Sequence, residues 1–224
     1  MKKLAFTLAE TLITLGIIGV VAAITIPTLI SNYQKHVYYT QFMKARSTIE
    51  NALRLYAADH DCPTNEPLCN PENDIIEEFS RYFKGATLFN DTNYKEVCKG
   101  YDILPATETT YGTADAASMC MKDIEVYQNT KYNGFITNDL LISMQTDAGY
   151  GGGAFVDVNG PYSGPNKGGR DIFSIYPNKL QYFCGHLWGA TKECLGEELV
   201  IDICDREIDD MCGERLIKEG KMTY

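Results

Sequence analysis

The chain has no glycine or proline from Thr28 to Asp61, no cysteine before Cys62, a single tryptophan and three histidines. Each shortage excludes something. A stretch of that length without helix breakers can be one continuous helix. The histidines, His36, His60 and His186, are scattered singly, and no Cys-x-x-Cys occurs, so zinc-site spacing is missing. Gly-x-Gly-x-x-Gly, Gly-x-Ser-x-Gly and His-Glu-x-x-His are also absent. Gly149-Tyr150-Gly151-Gly152-Gly153 has no lysine placed to make it a phosphate loop and reads as a turn. These absences lead to the expectation of a protein that is not an enzyme. Positive charge is scarce too: 20 Lys and Arg face 30 Asp and Glu, a net charge of −10 that argues against non-specific nucleic-acid binding.

Ionisable side chains nearly vanish between Phe6 and Ile26. Those 21 residues carry one, Glu10, and as a helix they reach about 30 Å, the thickness of a bilayer core. An unpaired carboxylate costs roughly 2.5 kcal/mol or more at the bilayer centre, so Glu10 calls for a partner. Lys2 and Lys3 before the run favour a cytoplasmic N-terminus with the rest of the chain outside. Three readings fit the segment: a signal peptide cut after Val21-Ala22-Ala23, a plain uncleaved anchor, or a processed assembly helix. Only the third gives Glu10 a purpose.

The third rests on a resemblance. Phe6-Thr7-Leu8-Ala9-Glu10, the small Ala5 before them, the short basic leader, and Pro27 in the twenty-second position from Phe6 resemble the prepilin signal of type IV pilins and type II secretion pseudopilins. That likeness implies cleavage between Ala5 and Phe6 by a membrane prepilin peptidase and methylation of the new amine of Phe6. It implies that Glu10 faces the terminal amine of a neighbouring subunit, each charge offsetting the other's desolvation in apolar surroundings. It also implies an inner-membrane assembly platform with its ATPase, and other pilin-like subunits, as partners. Ala5 stands where the family usually has glycine. The alternative is a membrane-anchored or secreted disulfide-rich binding domain that does not polymerise.

The expected division is a leader at 1–5, a membrane and polymer-core helix at 6–30 kinked or locally loosened at Pro27, an amphipathic continuation at 31–61 in which the helix resumes at once, and a head at 62–224. Tyr38, Phe42, Ala45, Ile49, Leu53 and Tyr56 recur at three and four residues and form one apolar stripe that needs a sheet beneath it. Lys35, Lys44, Arg46, Glu50 and Arg54 occupy the other face as a solvated surface, part of which would meet other subunits. All eight cysteines follow the membrane segment, an even count that reads as disulfides outside the cytoplasm. Neighbour pairing joins Cys62 with Cys69, Cys98 with Cys120, Cys184 with Cys194, and Cys204 with Cys212.

After Pro63, Asp74 to Phe83 has helical spacing, with Asn73 or Asp74 as N-cap, and Asn90 to Thr113 is polar and turn-rich. Five short apolar runs at 134–137, 140–144, 154–158, 171–176 and 180–183 read as strands. No helix long enough for a parallel crossover separates them, so consecutive antiparallel pairing follows. From Trp188 onward an irregular or helical segment is expected, with a short helix within 205–217. The fold class is α+β, a long N-terminal helix on a small antiparallel sheet with disulfide-stapled loops.

One loop in the head has chemical character. Alternation places Asp157 and Asn159 on one side of an extended chain, and the Gly/Pro-rich stretch to Arg170 returns Asp171 to them. Three such oxygens with loop carbonyls suit Ca²⁺. The other reading is a tight Asn-Gly turn between two strands.

Overall fold

The computed structural model describes residues 7–63, 68–69, 74–90, 92–97, 131–145, 153–166, 169–176, 181–182 and 213–223. A helix, α1, runs unbroken over Leu8–Asp59, 52 residues and so about 78 Å. Pro27 lies inside it without interrupting it, the helix continuing past it as expected; what Pro27 removes is one backbone donor, leaving the Ala23 carbonyl without its usual partner.

The helix ends where its backbone turns left-handed. Asp61 takes φ +53°, and the Cys62 amide donates to the Ala57 carbonyl at 2.8 Å, closing the last turn as a Schellman motif with aspartate in glycine's usual place. Cys62 then pairs with Cys69, whose Cα lies 5.6 Å away. The other expected pairs, Cys98 with Cys120, Cys184 with Cys194 and Cys204 with Cys212, involve residues outside those described.

Helix α2, Ile75–Ser80, is capped by Asp74, whose carboxylate accepts from the Ile76 and Glu77 amides at 2.9 and 3.1 Å. It is shorter than its apolar spacing promised. Tyr82 and Phe83 follow in tight turns, their amides donating to Phe79 and Ser80 carbonyls.

The sheet is a six-stranded antiparallel meander in chain order: β1 (Thr87–Phe89), β2 (Gly134–Ile136), β3 (Leu141–Gln145), β4 (Gly153–Asp157), β5 (Ile172–Tyr176) and β6 (Gln181–Tyr182). Five strands match the expected runs. The sixth, β1, lies in a three-residue segment too short to show alternation, and the four-residue helix α3, Tyr94–Val97, sits in the stretch expected to be turns. Helix α4, Gly213–Glu219, falls at the end of the range expected to hold a helix, shifted two residues beyond it.

Period-two alternation sorts the strands into two faces. Phe135, Ile142, Val156 and Phe173 lie opposite one another across β2 to β5 and point at α1. There they meet Phe42, Ala45, Ile49, Leu53 and Tyr56 of the expected helix stripe, joined by Ala52, with Tyr38 half-buried at its edge. Leu216 of α4 and Met222 complete this core. The far face holds a second cluster, Phe89, Leu141 and Ile172 under Tyr94 of α3. Gly134 belongs to this face because nothing larger fits: a Cβ would reach 2.8 Å from the Phe89 ring and collide with the Ile142 carbonyl oxygen.

Aromatic and polar contacts fasten the end of α1 to α2. The Tyr56 hydroxyl reaches the Cys69 carbonyl at 3.3 Å and the buried Glu78 carboxylate at 3.4 Å, and its ring stacks on His60, whose Nε2 is 3.5 Å from Glu78. Burial, with the Asp59 carboxylate accepting its proton at 2.7 Å, pushes the Tyr82 hydroxyl up to about 12. Burial and the facing Glu78 likewise hold the Tyr56 hydroxyl well above the ordinary tyrosine range. Both therefore remain protonated donors at neutral pH.

Candidate assembly helix and head loop

The N-terminal half of α1 is apolar and exposed. Residues from Leu8 to Tyr33 are exposed apart from Ala22, which is half-buried, and the most apolar window has a mean hydropathy of 2.3 with none of it buried. By length and composition it is able to cross a membrane. Its polar side chains are folded back on the helix: the Thr11, Thr14 and Thr25 hydroxyls donate to the Leu8, Thr11 and Val21 carbonyls at 2.8 to 3.0 Å. Each of these three hydroxyls thus has a backbone partner.

Glu10 is treated the same way. Thr7 is the N-cap, with extended backbone, and its hydroxyl accepts from the Glu10 amide at 3.3 Å. The Glu10 carboxylate in turn accepts from the Thr7 amide and the Thr7 hydroxyl, both at 2.8 Å. This reciprocal arrangement is a capping box. It satisfies two of the helix's orphan amides and gives the acid two donors while it remains exposed. Thr7 was not singled out from sequence as a cap, although Thr-x-x-Glu directly before an apolar run is the signature that finds it. Ala5 and Phe6 lie outside the described residues, so the cleavage point and the terminal amine have no described geometry; Pro27 is exposed on the helix.

The head loop brings its three predicted residues together. Asp157 and Asp171 are fully buried at the facing ends of β4 and β5, where the Val158 amide donates to the Asp171 carbonyl at 2.8 Å. The Asp157 carboxylate accepts from the Asn159 amide at 3.1 Å, an Asx turn that Gly160, at φ +75°, carries onward. Asp171 accepts from the Asn166 amide at 2.8 Å and from the Asn159 side chain at 3.4 Å. The turn thus closes on its own hydrogen bonds. Burial, with the Asp171 charge in range, raises the Tyr38 hydroxyl of α1.

Two oxygens in this loop are left over. The side-chain carbonyls of Asn159 and Asn166 are buried and accept no hydrogen bond. A buried acceptor without a donor costs about 1–3 kcal/mol, and oxygen is the atom a hard cation takes. Among the described residues no group of three or more His, Cys, Asp or Glu gathers at metal-ligand spacing, so the donor set is two carboxylates and two amide oxygens. Such a set fits Ca²⁺ in composition. Asn166 is the member the sequence did not reveal, because its place depends on a left-handed backbone at φ +56°.

No protein-family model matches the chain, and no curated protein or solved structure is similar to it at a significant level.

Proposed function

We propose that the chain is a pilin-like structural subunit, cut by a prepilin peptidase before Phe6 and assembled through α1 into a type IV pilus or type II secretion pseudopilus. One observation carries the reading: a single helix is bare and apolar over its first half and is the spine of the head core over its second. A plain anchor has no need for that continuity, nor for a carboxylate at its start. In this reading the protein waits in the bacterial inner membrane with its head outside, and is drawn into a filament by the assembly platform and its ATPase. It works by assembly with other pilin-like subunits and not by turnover. Mass spectrometry of the mature N-terminus tests it: a chain beginning at methylated Phe6 is expected. A start at Ile24, or an intact Met1, overturns the proposal in favour of a secreted or merely anchored disulfide-rich domain.

The loop of Asp157, Asn159, Asn166 and Asp171 serves this function as a stabilising Ca²⁺ site, a reading favoured by the two orphaned amide oxygens. With only two carboxylates it belongs to the weak class, with dissociation constants of roughly 10⁻⁴–10⁻³ M. Addition of about 5 mM Ca²⁺ should therefore add RT ln(1 + [L]/Kd), on the order of 1–2 kcal/mol, to the stability and raise the melting temperature accordingly. Asp171→Asn should abolish the increment, and an identical melting curve with Ca²⁺ and with chelator would remove the site.

A further inference from the structure

The C-terminal turn after α4 meets α1 just above its apolar half. The Lys35 ammonium donates to the Thr223 carbonyl at 3.4 Å, and Met222 beside it is buried in the core. We propose that this turn and α4 form a basic foot by which the head rests on anionic phospholipid headgroups. The inference depends on α1 spanning a membrane, and depth along α1 is what places the foot.

From Leu8 to Pro27 the helix covers 20 residues, about the 30 Å of a hydrocarbon core. Lys35 lies eight residues, or about 12 Å, farther along the axis. Helical side chains tilt toward the N-terminus, here the membrane side, and lysine stems extend their charge toward an interface. The Lys35 ammonium, with Thr223 upon it, thereby comes down to a headgroup layer about 5–8 Å thick. Tyr33, 67 % exposed two residues before, is the kind of amphipathic ring that marks this level.

Charge selects the kind of surface. Residues 60–224 carry 14 basic and 27 acidic side chains, a net −13, whereas residues 213–223 carry Arg215, Lys218 and Lys221 against Glu214 and Glu219, a net +1, to which Lys35 adds another positive charge. Arg215 holds Glu219 at 2.8 Å, and Glu219 also accepts from the Thr223 hydroxyl at 2.7 Å, so the turn is fixed to the helix before it meets anything else. Lys221 projects from it, exposed. An acidic head with this basic end meets an anionic bilayer more favourably through the foot than its net charge alone would allow.

The test uses the full chain in lipid nanodiscs, either phosphatidylcholine alone or with one-third phosphatidylglycerol, read by hydrogen exchange over 213–223. Exchange is expected to slow about fivefold or more in the anionic discs, and to revert in 0.5 M salt. Lys221→Gln, which changes charge at an exposed position, should remove about fivefold of protection. Equal exchange in both lipids with the chain inserted overturns the foot and leaves the anchor standing. Failure of the chain to enter discs overturns both. Protection that follows protein concentration in phosphatidylcholine discs would assign the surface to a second copy and overturn the lipid assignment.

Discussion

Glu10→Ala should leave the protein in the membrane and remove it from filaments. The substitution deletes the one ionisable side chain between Phe6 and Ile26, so insertion is made no harder. Loss of incorporation then cannot be blamed on a failed anchor. The capping box also goes, at a cost of about 1 kcal/mol to a helix of 52 residues, too little to unwind it. What remains is the proposed pairing with a neighbour's terminal amine. Leaving that amine unpartnered in an apolar core costs about 3–5 kcal/mol, a drop of 100-fold or more in the ratio of assembled to stored protein. Quantifying the chain in sheared surface fractions against membranes measures this ratio. A ratio within a fewfold of the unsubstituted protein would refute the role of Glu10, and Thr7→Val, which removes the hydroxyl but not the charge, should have a far smaller effect.

Phe173→Ala should loosen the head from its spine. The ring is fully buried on β5, with its centroid 4.7 Å from that of Phe42 on α1 and the two planes inclined at 59°. Truncating a buried phenylalanine costs about 3–5 kcal/mol, against a total stability on the order of 5–15 kcal/mol. For a head of this size the melting temperature should fall by roughly 10 °C or more, as followed by circular dichroism of the chain in detergent. Phe42→Ala should cost a similar amount. The double substitution should cost less than the sum, because the ring pair is worth about 0.5–1.5 kcal/mol beyond its buried area. A shift of only 1–2 °C would mean that the sheet is held to α1 elsewhere.

Periodic features were readable in advance and unpatterned ones were not. The stripe from Tyr38 to Tyr56 could be read because a helix repeats its buried face often enough over five turns for chance to be excluded. Five strands were legible because Gly, Pro and Asn separate them, and their order followed from the lack of a helix long enough to cross over. β1 was missed since Thr87-Leu88-Phe89 is a strand only by pairing with residues 134–136, a partner almost fifty positions away. α2 stopped early because Asp74 fixes where it starts while nothing local fixes where it ends. At the site, Asp157, Asn159 and Asp171 were found by side-chain type and alternation, whereas Asn166 depended on one left-handed residue in a loop, which no periodicity encodes. Glu10 was conspicuous by its charge. Thr7, its hydrogen-bond partner, was hidden by its ordinariness.

The buried stripe of α1 determines how the head answers a pull. Tension on the N-terminal half acts along the helix axis, parallel to the interface in which Phe42, Ala45, Ile49, Leu53 and Tyr56 lie one behind another. Under such a load these contacts strain together in shear instead of parting one at a time, as they would if the helix were peeled sideways from the sheet. At the far end, the disulfide after the helix and the Tyr56, His60 and Glu78 contacts resist the same displacement. The spine is therefore strongest in the direction along which a fibre would be extended, and weakest across it.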